Sequence, residues 1–310
     1  MISRKTVSDR NSGESASAPP VQHSPSTSQP AFRIALAQMY CVWAESRINL
    51  KRMEERAQEA AAKQAQMVVF PELCISGICK DDRLDSVTES LEGPSVLFVR
   101  NLACRLGLAI GFGFSERAPG KPYNTYAVVE PNGKFSGVYR KNYIPELEVP
   151  FWQGHSGRPV FCVLGHSIGV SICWDNQYPE LLDHYARGGV QVVLMPHAWD
   201  SDALDEEGRV IDYHSMEEIV QYHRQTGRMR WKTHDQMRDD FYSYIPELAR
   251  KGRFWAVFVN QAGRPHPCLQ FVGPSFVVSP AGQVVAETRD GEGQLLFADL
   301  GLAQTEERMT

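Results

Sequence analysis

The sequence predicts an α/β protein built on a sheet covered by helices, and three observations predict it. Short apolar runs rich in Val, Ile and Phe alternate with segments whose apolar residues fall at helical spacing. An Asn132-Gly133 dipeptide separates two alternating runs, the mark of a hairpin. The 310 residues, 43% hydrophobic and 22% charged, suffice for one large core without help from a membrane or a metal.

Residues 1–30 are rich in Ser and Pro and too poor in apolar residues to offset the entropy of ordering, so they read as a disordered tail. They hold no apolar stretch of the kind a secretory signal needs. A single domain is expected over 31–303, with 304–310 as a C-terminal tail. FRIALAQM opens it as a strand, and Leu50, Met53, Ala57 and Ala60 then mark the buried stripe of a helix. QMVVFPE is a short strand, PSVLFVRNLACRL a second helix, and LAIGFGFSE a third strand. YNTYAVVEP and KFSGVYRK form the hairpin, and strands follow at 159–164 and 167–173. YPELLDHYARGG reads as a helix with Pro179 in its first turn and Gly188-Gly189 at its end, leading into the strand VQVVLMP. Periodicity then fails for about fifty residues, so 197–245 is an insertion with local helices, or a lid. YIPELARKG resumes the core, and strands at 254–260, 271–279, 283–288 and 294–299 complete it, with Ala281-Gly282 as a turn.

Composition excludes several functions. A net charge of −5, from 32 basic and 37 acidic residues, offers no field for a phosphate backbone, so nucleic acid is not an expected partner. No apolar run approaches the roughly 18 residues of a membrane span. The seven cysteines are odd in number and include no C-x-x-C pair, which points to reduced thiols in a reducing compartment, taken here as the cytoplasm. Cys74 and Cys79 lack the second pair that a zinc site needs, and His197, His214, His223 and His234 match no ligand spacing, so neither metal nor cofactor is expected.

Three reactive side chains fall where a strand runs out into a loop: Glu72 in VVFPEL, Lys141 in GVYRKNYIP and Cys173 in GVSICWDN. Strand ends are where α/β sheets build their sites. Alone, each has a plain structural reading as a turn carboxylate, a surface charge or a small buried hydrophobe. Together they supply a base, a cation and a nucleophile, the set that acyl transfer from an amide requires. A thiol is mostly protonated at neutral pH and needs a nearby base or positive charge, roles open to Glu72 and Lys141. Lys141 and the backbone N–H of Trp174 are then the candidate partners of the oxyanion.

These blocks, in this order, resemble the nitrilase superfamily of carbon–nitrogen hydrolases. The resemblance covers nearly all of 32–302, extending to WAVFVNQAG and PSFVVSPAGQVVAE. It implies a four-layer αββα sandwich, a Glu-Lys-Cys triad of Glu72, Lys141 and Cys173, and a homodimer or higher homo-oligomer. It also implies a second glutamate after the lysine, for which Glu146 and Glu148 compete; Glu148 is the better match because Phe151, Trp152 and Gly154 follow it. CWDNQYPE with YRKNYIP looks most like the N-carbamoylputrescine amidase branch, and Asp175 counts against true nitrilases, which tend to carry C-W-E. The expected activity is therefore cofactor-independent hydrolysis of a small linear amide or N-carbamoyl amine through a Cys173 thioester, with release of ammonia. The alternatives are a nitrile hydrolase of the same fold and a catalytically silent binding or scaffold protein. Trp174, Asp175, His197, Trp199 and Tyr123 are the candidate substrate contacts; for Asp175 a turn role and for His197 and Trp199 a loop packed on the core are the competing readings. The insertion opens acidic, at Asp200, Asp202, Asp205, Glu206 and Glu207, and turns basic at Arg228, Arg230 and Lys232, which leaves the sign of a charged substrate end open.

Overall fold

A computed structural model describes residues 31–302 apart from 212, 214, 228, 229 and 267. The tails at 1–30 and 304–310, His214 and Arg228 lie outside the described residues.

The first half of the chain builds one sheet. Strands β1 (Phe32–Gln38), β2 (Met67–Val69) and β3 (Ala109–Glu116) run parallel, with α1 (Ser46–Ala62) and α2 (Pro94–Leu106) as the crossovers between them. Strands β4 (Tyr123–Val129) and β5 (Phe135–Arg140) extend it antiparallel. The hairpin between them turns at Gly133, whose φ of 73° suits glycine; a Cβ there would lie 2.6 Å from the Cys104 sulfur. The predicted stripe on α1 faces the sheet, with Met53, Ala57 and Ala60 fully buried and Leu50 packed beside them. Pro94 starts α2 and Gly107, at φ 61°, stops it.

The second half repeats the plan. Strands β6 (Phe161–Val163), β7 (His166–Val170) and β8 (Val192–Pro196) follow, with α3 (Pro179–Arg187) as the crossover from β7 to β8. The stretch without periodicity forms a two-stranded ladder of β9 (Ala203–Leu204) and β10 (Arg230–Trp231), with α4 (Met216–Thr226) between them and α5 (His234–Tyr242) after. Helix α6 (Ile245–Gly252) leads to β11 (Trp255–Val259), parallel to β8. A second ladder pairs β12 (Ala262–His266) with β13 (Leu269–Val272). Strands β14 (Phe276–Val278) and β15 (Val284–Glu287) join β11, and β16 (Gln294–Leu300) crosses back to pair with β1. The sheets run β16-β1-β2-β3-β4-β5 and β15-β14-β11-β8-β7-β6.

Period-two alternation sorts the side chains into layers. On β1, Ile34 and Leu36 enter the core between the sheets, where they join Val128, Tyr139, Ile168, Val192 and Val257. Ala35 and Ala37 face the other way, onto the side chains of α1 and α2. Helices α3, α5 and α6 cover the second sheet through Leu182, Tyr185, Phe241, Ile245 and Ala249. The result is the four-layer αββα sandwich. Two expectations change: the run at 271–279 is split into β13 and β14 by Gly273-Pro274, and β12 went unforeseen because AGRPH shows no alternation. Among the described residues no helix is long and apolar enough to cross a membrane, and no cluster of His, Cys, Asp or Glu could hold a metal ion.

Candidate active site

Five loops leave the sheets at carboxyl ends of strands and meet: those after β2, β5, β7, β8 and β11. The first carries Glu72. Its backbone lies against β3 at Gly113, where a Cβ would come within 2.4 Å of the Leu73 nitrogen, so glycine there is a condition of the approach. The Glu72 carboxylate is fully buried and held on both oxygens. Oε1 accepts from Asn124 Nδ2 at 2.7 Å and from Lys141 Nζ at 2.8 Å, and Oε2 accepts the Ala198 N–H at 2.7 Å. Gln261 Nε2 donates to the Glu72 carbonyl at 2.9 Å, tying in the loop after β11.

Lys141 leaves β5 with its N–H donated to the Asn124 carbonyl, and its ammonium reaches a second carboxylate, Glu148 Oε2, at 2.8 Å. Glu148 is buried on a short turn, whereas Glu146 on the same turn is exposed. Of the two competing glutamates, Glu148 is therefore the one in contact with the lysine. Desolvation alone would lower the Lys141 pKa, but the charges of Glu148 and Glu72 hold it well above its ordinary value. The ammonium stays charged, and two carboxylates share one buried cation.

Cys173 follows β7 and begins a single 3₁₀ turn, Cys173–Gln177. Its φ of 50° is a conformation that side chains rarely adopt, a strain of the kind found where a side chain must be presented at a bend. Burial pushes its thiol pKa well up, the Glu72 and Glu148 charges push the same way, and Lys141 opposes them. The resting sulfur is a thiol. Of the two activating routes open to the sequence, positive charge does not prevail, and a base must remove the proton as the sulfur attacks.

A cavity of about 650 Å³ opens over Cys173, and its walls include Glu148, Trp174, Trp199, Asp200 and, from the insertion, Val210, Ile211 and Tyr213. Trp174 and Trp199 stand 5.8 Å apart in it. The other expected contacts lie elsewhere. The Asp175 carboxylate is fully buried behind the cysteine turn. His197 is also buried, stacked on Phe258 at 3.8 Å; its Nδ1 lies 2.8 Å from the Met195 carbonyl, so that nitrogen carries the proton and Nε2 accepts from Asn176 at 3.1 Å. Burial lowers its pKa to about 3, which keeps it neutral. Tyr123 packs edge-on to His155 at 5.5 Å and under Arg140, outside the walls of this cavity.

Sequence reasoning passed over Asn124, Gln261 and Asn260, whose side chain brackets Trp199 through the Trp199 N–H at 3.0 Å and carbonyl at 3.1 Å. The available signal was position: each is a polar residue at a strand terminus beside an apolar run.

The carbon-nitrogen hydrolase family profile matches residues 33–308. The chain belongs to this family. It is 27% identical over 264 residues to an N-carbamoylputrescine amidase of Arabidopsis thaliana, covering 82% of this chain and 81% of the relative. It is 25% identical to the omega-amidase NIT2 of Danio rerio, over 87% of this chain and 88% of that one. A crystal structure of an amidase from Nesterenkonia sp. superposes with a TM-score of 0.67 at 25% identity, covering 87% of this chain and 90% of that chain. A cysteine-dependent hydrolase acting on C–N bonds is the common ground.

Proposed function

We propose that the protein hydrolyses a small linear amide or N-carbamoyl amine through a Cys173 thioester. One observation carries the reading: Cys173 and Glu148 wall one cavity, and the thiol feels the charges of Glu72, Lys141 and Glu148, which are themselves joined in one buried cluster. Cys173 Sγ attacks the carbonyl carbon while its proton passes to Glu72. Negative charge gathers on the carbonyl oxygen, where Lys141 and the Trp174 N–H stabilise it. Collapse breaks the C–N bond, and Glu72 returns the proton to the departing nitrogen. Water, deprotonated by Glu72, then cleaves the thioester and restores the thiol. Glu148 holds Lys141 from the second side, and Trp174 and Trp199 contact the substrate, while His197, Asp175 and Tyr123 act from behind the cavity wall.

The charge of the far end follows from the lining. Asp202 shares Lys232 with Asp240, at 2.7 Å each, and among the described residues Glu146, Asp200 and Asp202 line the cavity with Lys80 as the one lining cation. This favours a substrate bearing an amine over one bearing a carboxylate, in keeping with the carbamoylputrescine relative. The protein acts as a homodimer or higher homo-oligomer in the cytoplasm, a location supported by seven unpaired thiols. The test is an ammonia-release screen over linear amides, N-carbamoyl amines and nitriles. Turnover of amino-terminated amides or carbamoyl amines, lost in Cys173→Ala, is expected; turnover of nitriles alone would overturn the reading.

A further inference from the structure

Asp175 sits in the cysteine turn, yet its carboxylate points away from the cavity and is fully buried. Four donors surround it. Oδ1 accepts the backbone N–H groups of Asn142 at 3.1 Å and Tyr143 at 2.9 Å, the two residues that follow Lys141. Oδ2 accepts the Tyr139 hydroxyl at 2.7 Å and the N–H of Ile172, the residue before Cys173, at 3.1 Å. Lys141 leaves the first sheet and Cys173 leaves the second, so this one side chain binds both exits. An uncharged side chain of the same size cannot accept on both atoms.

We propose that Asp175 is a positioning residue whose ionised carboxylate clasps the strand exit carrying Lys141 to the turn carrying Cys173, and so sets the distance between cation and nucleophile. The proposal rests on the amidase reading of the site but assigns Asp175 no contact with substrate. A displacement of about 1 Å between reacting groups can cost about 10²-fold in rate, so a clasp at this point governs kcat rather than KM.

The clasp is pH-sensitive by construction. Burial raises the Asp175 pKa to about 6, against the opposing pull of the Tyr143 N–H, the Tyr139 hydroxyl and the Lys141 charge. The titratable and charged groups that face it are Tyr139 and Lys141 from β5 and its exit, and Tyr185 from α3. As pH falls through that value the carboxyl gains a proton, one oxygen becomes a donor facing donors, and the clasp opens. Removing the Tyr139 hydroxyl withdraws a hydrogen bond from the charged form and raises the Asp175 pKa further, by about one unit on the worth of a hydrogen bond to a charged acceptor.

The experiment measures kcat, KM and the rate of Cys173 alkylation by iodoacetamide against pH for wild type, Asp175→Asn and Tyr139→Phe. Asp175→Asn is expected to lose about 10²-fold in kcat with KM within a few-fold of wild type. Tyr139→Phe keeps the other three donors, and the acid limb of both its kcat and its alkylation rate should move up by about one pH unit. Superimposable pH profiles for wild type and Tyr139→Phe would overturn the clasp, even if Asp175→Asn fails to fold. So would an Asp175→Asn protein with unchanged kcat. A wild type without amide turnover would instead refute the amidase reading, while the alkylation profile still tests the clasp.

Discussion

Lys141 is the residue on which most of the site converges, because its buried ammonium pairs with both Glu72 and Glu148. Removing it leaves two negative charges without compensation, at a cost of about 3–5 kcal/mol for breaking such a pair, and strips the oxyanion of its cation. Lys141→Ala should therefore lower kcat by about 10²-fold or more and depress Tm as well. Near-full activity in that variant would make the cation purely structural. His197 carries a prediction of a different kind. Its folded pKa of about 3 lies below the ordinary value of 6.5, so from pH 6.5 downward the unfolded chain binds the proton first and stability drains away on acidification. His197→Gln should flatten the fall in Tm between pH 6.5 and 4; an equally steep fall would mean that His197 is not the group responsible. Glu72, Lys141 and Cys173 could be singled out in the sequence because Glu, Lys and Cys at three strand exits form a chemical set. Asp175 and His197 were legible as polar residues near the cysteine, but not in orientation. Whether a side chain faces the cavity or the wall depends on packing between sheets far apart in sequence, which is also why Asn124 and Gln261 escaped notice.

At the scale of elements, the strands and helices with clean periods were readable almost to the residue: α2 occupies the predicted PSVLFVRNLACRL, and Pro179 and Gly188 bound α3 as anticipated. What periodicity could not supply was the insertion, whose ladder of β9 and β10 has only two residues a strand. So short a ladder leaves no alternation to detect. The structure puts part of it to use, since Val210, Ile211 and Tyr213 wall the cavity and the Tyr213 hydroxyl lies 3.3 Å from Asp200. Replacing 200–235 by a short Gly/Ser linker should leave Cys173 reactive towards a small thiol reagent but raise KM, or abolish turnover, for the natural substrate. Unchanged kinetics would reduce the segment to decoration.

At the scale of the whole molecule, two sheets each present the carboxyl ends of strands to one site, and Lys141 and Cys173 come one from each. The α/β class was readable from alternation of elements, whereas the pairing of two sheets face to face rested on resemblance, because periodicity reports one buried face without naming what covers it. The Ser/Pro-rich tail has the composition of a segment that takes no part in a core, so a chain beginning at Gln29 should retain full activity, and a large loss would show that residues 1–28 act at the site. The proposed chemistry turns on covalent catalysis at Cys173. Its most direct measurement is acid-quenched mass spectrometry during turnover of a linear amide, with the adduct mapped to a peptide. A mass increase equal to the acyl portion is expected on the peptide holding Cys173, and it should be absent from Cys173→Ala, which should be inactive. Steady turnover with no adduct on that peptide, together with activity in Cys173→Ala, would contradict it.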